Sequence, residues 1–479
     1  MPELFSPTFE SLQKFRCPAW LADAKFGIWS HWGPQSVPMC GDWYARNIYV
    51  QGTEQYNDHL RRYGHPSKFG YKDLVKLWKA EAFDPDALME KYWKAGARYF
   101  VAQAMHHDNF FNFPSEHNRF NSTKIGPLKD ICGMWKRAAD NFKLPFGLTE
   151  HLGASFWWWA ANKGSDKTGP YAGVLYDGND PEYKDFYFEN SEHKESGWEW
   201  YTANAKFHAH WLAVIKELID LYTPDLLYSD GGLPFINRLD DSSDLSLCKP
   251  GLEAVAHLYN KSIEKHGENR AVYTQKDRNP LVYKIGVLDI EKSQLPGIPE
   301  DLWQTDTCVG NWFYDSRATF KKPGHVIEML IDIVSKNGVM LLNILQKPDG
   351  SIDAETDWLL EELAGWHDIC QEAIHGTRPW RVFGEGPSSV AIDGFTEKEV
   401  GWTDSDYRFT LSEKLYAFVM KKPESGVCVI KSLAEQDKVK AVELLGAGPV
   451  EWSQSFGALT VRLPQKLPTA YANCLAITL

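Results

Sequence analysis

Short apolar runs alternate with longer amphipathic stretches from about residue 25 to 345. The runs Phe26–Trp29, Tyr99–Ala104, Phe146–Leu148, Leu226–Tyr228, Ala271–Tyr273, Val287–Ile290 and Val339–Ile344 are too short for helices and read as buried strands. Between them lie helical patterns at about 84–95, 128–142, 207–222 and 324–337. The third is the clearest: Phe207, Trp211, Ile215, Leu218 and Tyr222 recur at three- and four-residue spacing and make one apolar face. Gly338 reads as the stop of the last helix. Strand–helix alternation of this length predicts an α/β fold with a parallel sheet closed as a (β/α)8-like TIM barrel. Some helices look short or absent, so the barrel is expected to be irregular.

After about residue 366 the pattern changes. Tyr416–Val419, Val427–Ile430, Ala441–Leu445, Leu459–Leu463 and Cys474–Ile477 are β-like, and clusters of Gly, Pro and charge separate them. They predict a small C-terminal antiparallel β-sandwich. The expected division is a catalytic barrel over 1–365 and a sandwich over 366–479, with the Gly376–Trp380 stretch near the join. No internal repeat or low-complexity tract interrupts either part.

Composition narrows the classes. A chain of 479 residues with 43% hydrophobic positions has enough apolar surface for a large core plus a second domain. Its net charge of −13, with no long basic run, argues against nucleic acid and anionic lipid as partners. No apolar run approaches the roughly 20 residues of a membrane span. The start, Met1-Pro2-Glu3, has no basic or apolar leader. That fits a cytoplasmic protein or, as expected here, a periplasmic or secreted one whose signal peptide has been removed. The 8 cysteines are scattered singly, which predicts neither a zinc site nor a disulfide framework. Aromatic residues reach 14%, and several Trp sit beside polar residues in expected loops, a surface suited to the apolar faces of sugar rings.

Candidate chemistry gathers just after the strands, where barrel enzymes build their sites. Asp230 ends the Leu226–Ser229 run and precedes two glycines, Gly231 and Gly232, that let a ligand come close, a setting for a nucleophile, with a turn-capping Asp as the plain alternative. Glycoside hydrolysis needs a second carboxyl group, and Asp289, Glu291, Glu300 and Asp306 are candidates. His31, His106 and His107 follow the first two strands and suit sugar hydroxyls. His106-His107-Asp108 also reads as a set of metal ligands, although neighbouring strand residues point to opposite faces. Glu150 and His151 follow the third strand, and Trp157–Trp159 come soon after, as a subsite wall, a lid or an interface contact.

Ordered blocks run along the chain: Lys25–Gly33, Ser36–Pro38 and Trp43–Asn47; Ala102–Ala104 into His106-His107-Asp108; Phe113–Ser115; Lys129–Ile131; Pro145–Leu148; Tyr228–Gly232; Leu341–Asn343; and Ala373–Trp380. Taken in order, these blocks resemble glycoside hydrolase family 29, the retaining α-L-fucosidases. The resemblance runs from about residue 25 to 380. It implies a barrel followed by a β-sandwich, double displacement, and no cofactor or metal. It makes Asp230 the nucleophile and, by its distance past Arg278, Glu291 the acid/base. His31, His106 and His107 would hold sugar hydroxyls, Trp43 would line the sugar pocket, Arg278 would contact the sugar, and Trp312 would lie near its C5 side. Asp42 stands where the family usually has Glu, and His151 lies where the family often shows a Tyr-rich stretch; both count among the expected substrate-binding residues.

The implied function is release of terminal α-L-fucose from oligosaccharides or polysaccharides, with a homo-oligomer admitted. Rival readings are an α-L-galactosidase, since L-galactose differs by one C6 hydroxyl, an exo-enzyme on a sulfated fucose-like algal sugar, and a non-catalytic carbohydrate-binding protein.

Overall fold

The computed structural model describes residues 3–189, 200–236, 244–390, 397–434, 436–455 and 457–479. Eight parallel strands close into a barrel: β1 Phe26–Ser30, β2 Tyr99–Gln103, β3 Phe146–Glu150, β4 Leu226–Ser229, β5 Val272–Gln275, β6 Val287–Asp289, β7 Trp303–Cys308 and β8 Gly338–Asn343. Each pairs in register with the next, and β8 returns to β1 through Phe26 to Met340 and Trp29 to Asn343. The strands are buried along almost their whole length, as expected for a sheet enclosed by helices.

Seven of these strands coincide with the apolar runs. The exception is β7, whose sequence Trp-Gln-Thr-Asp-Thr-Cys has no apolar alternation yet is entirely buried. Its polar side chains face partners within the barrel. Gln304 donates to Asp289 (2.9 Å), Thr305 donates to the Ile290 carbonyl (2.7 Å), and Asp306 accepts from Tyr228 (3.0 Å). A satisfied polar strand leaves no hydrophobic signature. The barrel is irregular, as expected. Only the single turn Pro280–Tyr283 lies between β5 and β6, and among the described residues no helix lies between β6 and β7. The Gly338 reading is corrected. The preceding helix ends at Ser335, left-handed Asn337 (φ 64°) makes the turn, and Gly338 opens β8.

A six-stranded antiparallel sheet and a three-stranded one follow. They take in all five expected C-terminal runs, as β11 Leu415–Val419, β12 Val427–Ile430, β13 Ala441–Leu444, β16 Ala458–Arg462 and β17 Asn473–Thr478. The additional strands are β9 Arg378–Glu385, β10 Tyr407–Leu411, β14 Gly448–Pro449 and β15 Glu451–Ser455. Phe409, Val419, Ile430, Leu444, Val461 and Leu475 form the core of the sandwich. A buried ion group ties it to the barrel: Asp332 on helix Pro323–Ser335 accepts from Lys336 (2.6 Å) and from Arg408 of β10. All eight cysteines are unpaired. No helix among the described residues is long and apolar enough to cross a membrane.

One glycine shows how tightly the barrel is filled. Gly27 of β1 lies opposite Tyr99 of β2. The Tyr99 ring occupies the space of a side chain at 27, and its hydroxyl crosses to Gln304 (3.1 Å). A Cβ there would fall 2.3 Å from Tyr99 Cζ. Gly365, on the exposed side of helix Ala354–Cys370, has nothing within 4 Å. Gly27→Ala should therefore lower unfolding free energy by about 1–3 kcal/mol. Gly365→Ala should raise it by about 0.5–1 kcal/mol. Urea denaturation of both variants measures the difference in sign.

Candidate active site

A cavity of about 560 Å³ opens above the C-terminal ends of the barrel strands. Strand alternation sets its floor and wall, since residues two apart share the inward face. Trp29 and His31, Tyr228 and Asp230, and Asp289 and Glu291 are such pairs, as are Gln304 and Asp306. In each of the first three the second residue stands at or just past the strand end. Asp230 is held there because its amide donates to the Glu150 carbonyl (3.1 Å), which prolongs the β3–β4 ladder. The Lys276 amide likewise donates to the Gly231 carbonyl (2.7 Å), bringing the ends of β4 and β5 together. Glu291 is flanked by amides of Ile290 and Lys292 that donate to the Gln304 and Asp306 carbonyls, both at 2.9 Å.

Gly231 (φ 109°) is required for a reason other than ligand approach. A Cβ at this position would lie 2.5 Å from Trp200 Nε1 and 2.7 Å from the Tyr201 hydroxyl, so glycine lets these two rings pack over the backbone. Trp200 Nε1 donates to the Asp230 carbonyl (3.1 Å).

The cavity is lined by Asp230, Glu291, His31, Asp42, Trp43, His106, His107, His151 and Trp312. These are all but one of the residues selected from the sequence. Arg278 is the exception: it is exposed and lies outside the lining. The cation in the cavity is Lys276, two positions earlier, which sequence reasoning missed. It follows β5 directly, and that position at a strand end is the signal that would have found it. Trp29, Asn47, Tyr228 and Trp200 complete the lining with Asp306. Among the other carboxyl candidates, Asp289 is buried behind the wall and Glu300 is exposed away from it.

Lys276 Nζ lies 2.8 Å from Asp230 Oδ1, is bonded to Glu291 Oε2, and stands 3.8 Å from Asp306 Oδ2. Burial opposes ionisation of Asp230. Lys276 outweighs it, with His107 and His151 adding in the same direction, and holds the carboxyl well below the usual carboxylate range. Glu291 moves the other way. Burial raises it, Lys276 pulls it down, and Asp306 and Asp230 add to a net rise. Two carboxyl groups, one kept ionised and one biased toward its proton, are what nucleophile and acid require.

The imidazoles present a fixed pattern. His107 Nδ1 donates to the His151 carbonyl (2.7 Å), which turns Nε2 toward Asp230 Oδ2 at 3.3 Å. His151 Nδ1 donates to the Met105 carbonyl (3.2 Å), leaving Nε2 as an acceptor. Gln35 Nε2 donates to His106 Nδ1 (2.8 Å), so His106 carries its proton on Nε2 as a donor. Burial lowers the pKa of His31 and His106 well below the ordinary value and that of His151 to about 3. The His31 amide donates to Asn343 Oδ1 (2.9 Å), and Asn343 Nδ2 donates to the Trp312 carbonyl (2.9 Å). The last residue of β8 thereby joins two walls of the cavity. Asp42 Oδ1 accepts from the Phe313 amide (2.8 Å), tying the β1 loop to the β7 loop.

Asp108 does not act with the histidines. Its carboxyl accepts from the Tyr71 hydroxyl and the Phe110 amide, and burial raises it to about 6. Among the described residues, His31, His106 and His151 are the set whose ligand atoms lie within 4.8 Å of one another and could hold an ion. Glu150 accepts from Trp211 (3.0 Å) and the Gly153 amide (3.2 Å) and is structural. Trp158 packs against His107 with ring centres 5.7 Å apart, and Trp159 packs against Tyr187 at 4.8 Å, so the tryptophan run backs the cavity.

Two family models match the chain: "Alpha-L-fucosidase" over residues 1–372 and "Alpha-L-fucosidase C-terminal domain" over 396–478. The chain is 27% identical to the tissue alpha-L-fucosidase of Mus musculus over 477 residues, covering 98% of this chain and 92% of the relative. It is 26% identical to the plasma alpha-L-fucosidase of Homo sapiens over 509 residues, covering 99% and 92%. Its fold is shared with the alpha-fucosidase of Thermotoga maritima solved in complex with fucose. That structure superposes with a TM-score of 0.75 at 23% identity, covering 99% of this chain and 100% of the other.

The opposed shifts of Asp230 and Glu291 fix the sign of the pH dependence. Turnover should fall on the acid side only well below 3.8, the ordinary value of Asp, as Asp230 takes up a proton. It should fall on the alkaline side above 4.5, the ordinary value of Glu, as Glu291 loses its own. The pH profile of kcat/KM measures both limbs.

Proposed function

The chain belongs to the alpha-L-fucosidase family, a family of glycosidases, and from that premise we propose that it releases terminal α-L-fucose from glycans by double displacement. Asp230 is the nucleophile and Glu291 the acid/base. One observation carries this reading: both carboxyl groups touch the same ammonium, Lys276 Nζ. Two oxygens bonded to one nitrogen lie no more than about 6 Å apart. A retaining pair needs about 5–5.5 Å, whereas an inverting pair needs about 6.5–9.5 Å to admit a water.

Asp230 attacks the anomeric carbon as Glu291 gives its proton to the leaving oxygen, and a glycosyl ester forms. Glu291 then takes a proton from water, which attacks the same carbon and frees Asp230. Configuration is retained over the two inversions. The cavity ends on the buried rings of Trp29 and Tyr228, which suits the end of a glycan rather than its middle. His106 as donor and His151 as acceptor suit sugar hydroxyls. Trp43 and Trp312 offer apolar faces to the ring, and Asp42 is within the same wall. Arg278 has no part in the proposed sugar contacts, and Lys276 supplies the positive charge.

Asp230→Gly should lower kcat on an aryl α-L-fucoside by at least about 10³-fold. Azide should restore turnover by entering the space left by the carboxylate. Full activity in this variant would overturn the assignment. Glu291→Gln should slow poor leaving groups far more than activated ones. An equal loss on both would transfer the acid role to Asp306.

A further inference from the structure

One cation serves several acids at the floor of the cavity. Lys276 is mostly buried, touches both Asp230 and Glu291, and has Asp306 3.8 Å away. Asp306 is anchored from behind. It accepts from Tyr228 (3.0 Å), and together with burial it pushes the neighbouring Asp289 well above the ordinary carboxyl range. The Tyr228 hydroxyl lies 3.3 Å from Asp230 Oδ1 as well, and its ring packs 5.5 Å from Lys276 Nζ. The ammonium is thus held laterally by Tyr228 and from below by the Asp289–Asp306 pair.

We propose that Lys276 is the positioning residue across which negative charge is handed from the nucleophile to the acid/base and back. This rests on the roles assigned above to Asp230 and Glu291. In the first half-reaction an Asp230 oxygen bonds to the anomeric carbon, and the bond from that carbon to the leaving oxygen breaks. The Glu291 proton goes to that oxygen. Asp230 loses its charge on becoming an ester, and Glu291 gains one on losing its proton. In the second half-reaction a water proton passes to Glu291 and the water oxygen bonds to the carbon. The ester bond breaks and Asp230 recovers its charge. Each step moves one unit of charge between two groups that already share Lys276, so the cation keeps an anionic partner throughout without relocating. A fixed charge of this kind stabilises both transition states with little reorganisation.

Other groups face this pair and stay in place during the exchange. His107 and His151 approach Asp230 from the ends of β2 and β3, Tyr228 from β4, Asp289 from β6 and Asp306 from β7. Lys292, next to Glu291, is turned away over the Trp312 ring at 5.0 Å. None of them bridges the two reacting carboxyl groups as Lys276 does.

The test is Lys276→Met, with Lys276→Arg as the conservative variant, assayed on an activated aryl α-L-fucoside. Lys276→Met should lower kcat/KM by about 10²-fold and slow both half-reactions, read as the burst and the steady state. Both limbs of the pH profile should move to higher pH by about one unit or more, because both carboxyl groups lose a neighbouring positive charge. Lys276→Arg should restore the limbs. Thermal unfolding checks the fold, and Lys276→Gln replaces the Met variant if that one does not fold. Unmoved limbs, or loss of one half-reaction alone, would overturn the proposal while Asp230→Gly remained inactive. An active Asp230→Gly enzyme would instead overturn the underlying assignment.

Discussion

A single ammonium among four carboxyl groups governs the floor of this barrel. Opposite charges about 3 Å apart interact by several kcal/mol at the effective dielectric of a partly buried site, so the arrangement cannot be incidental to their protonation. Lys276 ionises Asp230 but is too few in charge to ionise every acid nearby. Burial and Asp306 therefore push Asp289 well above the ordinary carboxyl range, and Glu291 is biased toward its proton. The site acquires one carboxyl group held toward its ionised form and one biased toward its proton, both in contact with the same atom.

The barrel supplies the positions. Closure of eight parallel strands brings the ends of β1 to β8 onto one rim, so residues as distant as His31 and Trp312 approach to 5.5 Å between ring centres. Below the rim the inward positions are unusually polar: Gln304, Asp289, Asp306 and Tyr99 fill the interior with hydrogen bonds where many barrels place branched aliphatics. That polar floor prevents Lys276 from being stranded in an apolar core. Backbone bonds beyond the strands, such as the Asp230 amide to Glu150 and the Lys276 amide to Gly231, then hold the reacting groups to the frame.

Much of this was legible in the residue pattern. Apolar runs located seven strands, polar residues just beyond them located six of the lining side chains, and the family resemblance added Asp42, Trp43 and Trp312. The misses have a common physical origin. β7 is buried but polar, so its burial depends on partners that only the closed barrel provides. Lys276 was passed over for Arg278 because spacing along the chain does not tell which of two nearby cations faces inward. The ladder between Lys276 and Gly231 decides that. Gly231 was read as room for a ligand, whereas its missing Cβ is filled by Trp200 and Tyr201. Asp108 looked like a ligand beside two histidines, but it turns toward Tyr71.

The account's central claim is that Asp230 becomes covalently bound to the sugar. A fucosyl substrate with fluorine beside the anomeric carbon and a reactive leaving group slows hydrolysis of the ester more than its formation, so the ester accumulates. Peptide mass analysis of the enzyme after this treatment tests the claim most directly. The account predicts one fluorofucosyl adduct on the peptide carrying Asp230, with activity lost in proportion. An adduct on Glu291 or Asp306, or turnover that proceeds with no adduct at all, would contradict it.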